Sequence, residues 1–240
     1  MKGILNFIIA IMVISPCFSQ GNITYAVKLN SVKKEKTDSV MVSDLMKRVY
    51  LEISTIESEL TFSENLAVFK NAQDMELDVV SPARKIANII CGTDDIYFYD
   101  LRHKKNFKFF EFEGEQFLVE LSPSFDWNLE NETKKILNYV CYKAKTKVIR
   151  QLRNNKQEEI EVVAWYAPDL PIPIGPKGYH GLPGLILQLE EGENRLKYEA
   201  KKVELNKKIK PIKIPEKIIP ITEKEFDALA NKAFKELKEQ

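Results

Sequence analysis

Thirteen residues of the chain, Gly175 to Leu187, hold four of its nine glycines and two of its eleven prolines. Gly181 and Gly184 can take positive φ or admit a close backbone, and Pro183 fixes its own φ. The stretch therefore has few alternative conformations, and it ends in the apolar run that begins at Leu185. The pattern predicts a rigid corner that starts a core strand.

A second interpretation places this corner at the rim of a binding cleft. The residues that would then contact a ligand are Tyr179, His180, Gly181, Gly184, Trp127 and Trp165. We assign no catalytic residue, because glycine, proline and leucine carry no reactive group. The two histidines stand apart, without Cys-x-x-Cys or His-x-x-x-His spacing, so we expect no metal and no cofactor.

The first nineteen residues have the pattern of a secretory signal peptide. Lys2 precedes an apolar run from Ile4 to Ile14, and cleavage after Ser19 leaves small residues at the recognition positions. A lipid anchor on Cys17 is the alternative, which Pro16 disfavours. We expect residues 1–19 to be removed, residues 20–240 to form one domain, and the protein to reach the periplasm or the extracellular space.

The charge balance argues against nucleic-acid binding, and the length of the apolar runs argues against a transmembrane span. The 36 basic residues nearly cancel the 35 acidic residues, so no overall field favours nucleic acid. The apolar run near the N-terminus is too short to span a bilayer, and no later run is long enough.

After cleavage two cysteines remain, Cys91 and Cys141. In an oxidising compartment they could form a disulfide. The alternative is two separate buried thiols, each acting as a small apolar side chain. The sequence leaves both open.

Hydrophobic periodicity predicts an α+β fold. Strands with period-two alternation recur from Asn22 onward, and one long strand is predicted over Lys134–Val148. Helical spacing predicts amphipathic helices from about Asp38, after Ser81-Pro82, and after Thr222 with its capping box. The segment Ile209–Ile221 is predicted to be an extended strap. About nine antiparallel strands favour a strongly curled sheet, a half-barrel with an N-terminal and a C-terminal helix packed on it.

Gly175-Pro176 followed by the string Gly181-Leu-Pro-Gly-Leu-Ile-Leu187 resembles the signature of the GLPGLI family. Upstream, the stretches around Trp127, Cys141 and Trp165 are similar to the rest of that pattern, with Asn138 where glycine would be expected. The resemblance implies a protein exported by Gram-negative bacteria and implies no activity.

Three functions are compatible with these features. The first is a periplasmic binding protein that holds a hydrophobic or lipid-like ligand in an aromatic-lined concavity. The second is an interaction partner of an outer-membrane transporter or another envelope protein, bound through a strand edge or the Pro-rich loops. The third, least favoured, is a hydrolase or redox enzyme that uses Cys141, His180 or the aspartate pair Asp126 and Asp169. The sequence leaves the oligomeric state open.

Overall fold

The computed structural model describes most of the chain after the N-terminal segment. The described residues are 20–29, 40–72, 81–121, 124–151, 156–192 and 196–236. The expected signal peptide, including Cys17, lies outside the described residues. None of the helices in the described ranges is long and apolar enough to cross a membrane.

The described strands form one sheet, in the spatial order β12-β6-β5-β4-β3-β2-β1-β11-β10-β9-β8-β7. All neighbours are antiparallel except β12 and β6, which are parallel. The strands are β1 (Gln20–Leu29), β2 (Glu57–Ser63), β3 (Leu66–Asn71), β4 (Ile96–Asp100), β5 (Lys105–Phe112), β6 (Glu115–Glu120), β7 (Asn128–Ile136), β8 (Tyr139–Gln151), β9 (Gln157–Ala167), β10 (Leu185–Glu191), β11 (Leu196–Leu205) and β12 (Ile221–Thr222).

Three α-helices of the described residues accompany the sheet: α1 (Val40–Thr55), α2 (Pro82–Cys91) and α3 (Glu223–Glu236). The Ser81 hydroxyl caps α2 by accepting from the Arg84 amide at 3.1 Å, and Gly92 ends the helix with φ at 59°. In the predicted capping box of α3, the Glu225 carboxylate accepts from the Thr222 amide at 2.7 Å. Local caps therefore define these helix ends, which is why the sequence predicts them well.

One face of the sheet, here called the inner face, carries the main core. The rings of Tyr25 and Tyr198 both pack against Phe69, with centroids 6.2 and 5.7 Å apart. The helices α1 and α2 cover part of this face, and the Tyr198 hydroxyl donates to the Cys91 carbonyl of α2 at 3.4 Å.

The opposite face, the outer face, has a second apolar cluster of Phe98, Phe107 and Leu118. Three isoleucines of the segment before β12 pack on this cluster: Ile212, Ile214 and Ile218. That segment has no helix or strand, as predicted for the strap, and its prolines remove backbone donors that would otherwise need partners. The sheet is thus covered on both faces in this region.

The predicted half-barrel of about nine strands is wrong. Twelve strands form an open, continuous ladder with two ends, β12 and β7, and the sheet is not strongly curled or closed. The reason is the coverage just described: other segments bury the apolar side chains of both faces, so the sheet need not bend onto itself. The coarser prediction, a sheet-rich fold with helices packed on it, is confirmed.

The predicted single strand over 134–148 is also wrong. Its alternation continues through a two-residue turn at Leu137 and Asn138, where Leu137 has φ at 52°. The chain reverses there, so the first residues belong to β7 and the rest to β8. β12 was not predicted either, because two residues carry no periodicity.

Candidate functional site

The segment between β9 and β10, residues 168–184, folds back onto the inner face of the sheet. It contributes five buried side chains to the core, namely Leu170, Ile172, Ile174, Tyr179 and Leu182. Its backbone is tied to the start of β10, since the Leu185 amide donates to the Leu170 carbonyl at 2.9 Å and the Ile186 amide to the Ile174 carbonyl at 3.0 Å. We call residues 168–184 the core segment.

Two glycines of the core segment have different reasons to be glycine. A Cβ on Gly184 would lie 2.3 Å from the Ala167 carbonyl oxygen, so only glycine fits against that backbone. Gly181 has φ at 92° and open space around it, so its requirement is conformational. The prediction of a rigid corner that begins a core strand agrees with this geometry.

Three of the predicted ligand-binding residues, Tyr179, His180 and Trp127, converge at one place. The Trp127 indole Nε1 donates to the His180 carbonyl at 2.8 Å, and the imidazole stacks on Tyr99 with centroids 4.3 Å apart. Phe125 packs on Tyr179 at 4.8 Å and joins the same cluster. Phe125 and Trp127 are half-buried and close one side of the core segment.

His180 is buried, and its Nε2 has no hydrogen-bond partner among the described residues. Burial lowers the pKa of its imidazole to about 4, so the ring is neutral near pH 7. No hydrogen bond or ion pair within the described part of the chain joins it to Cys141, Asp126 or Asp169. As placed, it is a core aromatic side chain.

A buried ion cluster fixes the core segment to the end of β10. Glu191 accepts from the Lys177 ammonium at 2.8 Å and from the Tyr179 hydroxyl at 2.9 Å, and Arg150 lies 3.7 Å away. Burial by itself would raise the pKa of Glu191, but Lys177, Arg150 and Tyr179 together hold it below the ordinary value. Burial, followed by the Glu191 charge, raises the pKa of Tyr179.

This cluster was not predicted from the sequence. Leu187 and Leu189 precede Glu191 in β10, and alternation would have placed Glu191 on the same buried face as Leu189. A buried carboxylate needs a cationic partner. A glutamate at a position on the buried face was therefore the signal that could have indicated the cluster.

Trp165 is not part of the aromatic cluster. It alternates with the buried Ala164 and therefore points to the outer face, where the Lys134 ammonium lies 4.0 Å above its ring. Lys134 also donates to the Gln188 side-chain oxygen at 2.6 Å. The six predicted residues thus divide between two faces of the sheet.

The structure has Cys91 and Cys141 as free, buried thiols, which is the second of the two alternatives raised by the sequence. Burial raises the pKa of Cys91 to about 12 and that of Cys141 to about 11. Because the thiolate is the nucleophile, neither cysteine is activated for catalysis. Within the described ranges no group of three His, Cys, Asp or Glu side chains is arranged to hold a metal ion.

Comparison with known proteins adds a family match and a fold. Residues 150–188 match the family model described as "Protein of unknown function (Porph_ging)". The match spans the end of β8, β9, the core segment and the first residues of β10. A search of curated proteins returned no match.

Two solved structures share the fold, both of PNGF-II. The structure in the C2 space group has a TM-score of 0.51 and 16% identity, covering 89% of this chain and 32% of that chain. The structure in the P21 space group has a TM-score of 0.51 and 14% identity, covering 88% of this chain and 32% of that one. The present chain therefore spans about a third of the PNGF-II chain.

Proposed function

We propose that this chain is an exported protein of the GLPGLI type that binds another protein of the bacterial envelope and is not an enzyme. The observation that carries the proposal is the core segment on the inner face. The core segment has the most distinctive sequence of the molecule, and its side chains fill the core. We therefore expect a binding surface on the outside of the molecule.

A hydrophobic ligand in the concavity has less support. A cavity beside Tyr97, Tyr99 and Gly178 measures about 10 Å³, which suits one water molecule. An acyl chain on the inner face would have to displace Tyr179 and Leu182, and the Lys177–Glu191 ion pair holds that segment in place.

Enzymatic functions have the weakest support. Both thiols have raised pKa values and His180 is neutral and enclosed, so neither thiol nor the imidazole is activated. The similarity to a third of PNGF-II supports a fold that occurs as one module of a larger protein.

The surface that we assign to the partner is the outward side of the aromatic cluster. Phe125 and Trp127 are half-exposed there, and exposed Gly181 has open space beside its backbone. Partly exposed aromatic side chains on a rigid support are typical of protein-binding surfaces, since they bury large area with little loss of side-chain freedom. The Trp127–His180 hydrogen bond supplies the rigidity.

Photo-crosslinking in the native bacterium tests this surface. A benzophenone amino acid replaces Phe125 in one strain and Lys202, an exposed residue of β11, in the control strain. We expect a discrete heavier adduct from position 125 that is absent from position 202. No adduct at position 125, or the same adducts at both positions, would contradict the proposal.

Native mass spectrometry of the purified protein separates this function from ligand carriage. We expect the mass of the polypeptide alone. A stoichiometric extra mass that organic solvent removes would instead favour a hydrophobic ligand.

A further inference from the structure

Among the described strands, β7 forms one end of the sheet and pairs only with β8. A strand at a sheet edge presents backbone amides and carbonyls to any chain that can pair with them. The register of β7 against β8 is irregular between Leu129 and Thr133 and regular from Thr133 to Ile136. Thr133 lies at the junction of the two halves.

The charges of β7 are ordered along the strand. Its acidic residues, Glu130 and Glu132, precede its basic residues, Lys134 and Lys135. Two copies of such a strand placed antiparallel bring the acidic half of each against the basic half of the other. Opposite charges directly across an antiparallel pair are stabilising, and like charges are not.

One register places two oppositely charged side chains of β7 across from each other. Lys134 is half-buried above Trp165 and makes no ion pair with a carboxylate of the described residues. Glu132 bonds Lys143 at 2.9 Å, but its side chain is 62% exposed. With Thr133 opposite Thr133 of a second copy, each Glu132 faces Lys134 of the other copy on the outer face. Glu130 is less available, since Lys143 and Lys145 both hold its carboxylate.

The other face of the same edge is apolar. Leu129 is 54% exposed, and Val140 and Tyr142 of β8 are each 39% exposed. Ladder pairing puts these three side chains on the face of Ala144, opposite to that of Lys143. A two-fold axis perpendicular to the sheet keeps the inner faces of both copies on one side, so the two apolar strips lie on the same face of the joined sheet.

We propose that the protein forms a homodimer through antiparallel pairing of β7 with β7 of a second copy, with Thr133 at the two-fold axis. The partner-binding surface around Phe125 and Trp127 is separate, and neither proposal depends on the other. The dimer joins two sheets into one continuous sheet and gives each Lys134 a carboxylate.

Sedimentation of the purified protein across a wide concentration range tests the dimer. We expect a reversible monomer–dimer equilibrium. The single variants Lys134→Glu and Glu132→Lys place like charges opposite each other twice, so each should raise the dissociation constant at least about tenfold. The double variant with both changes restores opposite charges and should restore the dimer. Lys135→Glu is the matched control, because Lys135 faces Asn131 in this register.

Cysteine cross-linking tests the register without charge reversal, in case the Lys134 variant fails to fold. Thr133→Cys places two thiols directly across the two-fold axis, within disulfide distance. Lys135→Cys places them four residues apart along the strand, about 13 Å. Mild oxidation should give a covalent dimer of the first variant and not of the second, while the buried native thiols stay unreacted.

Two results would overturn the proposal. One is a monomer at every concentration, together with no cross-link through position 133. The other is a dimer that withstands Lys134→Glu and Glu132→Lys equally well, or that cross-links through position 135 instead.

Discussion

At the scale of single residues, the Glu191 cluster ties the core segment to the sheet. It joins Lys177 and Tyr179 of the core segment to the last residue of β10 in a site removed from water. Its net contribution to stability is limited, because desolvating both charges opposes their attraction. Removing one member, however, leaves the others unpaired in the interior.

Glu191→Gln should therefore destabilise the protein by about 3 kcal/mol or more, measured by urea unfolding. Glu159→Gln is the matched control, because the Lys147–Glu159 pair has the same 2.8 Å separation with side chains that are 66% and 60% exposed. That variant should lose much less stability, because an exposed ion pair contributes little. Equal losses in the two variants would show that the buried cluster has no special role.

His180 gives the fold a specific dependence on pH. Its pKa is about 4 when folded, below that of an exposed histidine, so the unfolded state binds a proton over a range where the folded state does not. Its contribution is complete above about pH 6.5 and is lost as the pH falls toward 4, by up to about 3 kcal/mol.

His180→Phe should remove this part of the pH dependence while keeping a ring against Tyr99. The free energy of unfolding measured at pH 7, 5.5 and 4.5 checks it. His103→Gln, a change at the exposed second histidine, should retain the slope that His180 causes. If His180→Phe shows the wild-type slope, another group is responsible.

At the scale of elements, the core segment depends on backbone that approaches backbone. Gly184→Ala forces a methyl group against the Ala167 carbonyl, where it would lie 2.3 Å away, so the core segment or β9 must shift. Gly181→Ala adds its methyl group in open space and strains only φ, by about 1–2 kcal/mol. Urea unfolding should show a clearly larger loss for Gly184→Ala, and the reverse order would contradict this account of the motif.

Elements with local signals were predictable from the sequence, and elements set by distant contacts were not. The caps at Ser81 and Thr222 act within one helical turn, so α2 and α3 follow from the sequence. The turn at Leu137 contains no glycine, and the alternation of apolar and polar residues continues through it. The pattern therefore did not indicate the β7–β8 hairpin. The convergence of Trp127 with His180 joins residues 53 positions apart, which no local pattern records.

At the scale of the whole molecule, the error about curling has one cause. The prediction inferred curling from the number of strands, whereas the strap also buries Phe98, Phe107 and Leu118 on the outer face. The sequence indicated an extended strap but not the face on which it lies. Prediction of the candidate site was limited in the same way. The motif marked the core segment, but it did not show that the side chains of this segment fill the core.

The strap itself supplies the test of this two-sided core. Ile214 packs on the outer cluster, whereas Ile219 a few residues later is 85% exposed. Ile214→Asn should cost about 1–2 kcal/mol of stability and speed tryptic cleavage at the lysines of the strap, because a polar group would then lie against apolar side chains. Ile219→Asn should change stability by less than about 0.5 kcal/mol and leave cleavage unchanged. If both variants behave alike, the strap is not part of the core, and the outer cluster must be covered in another way.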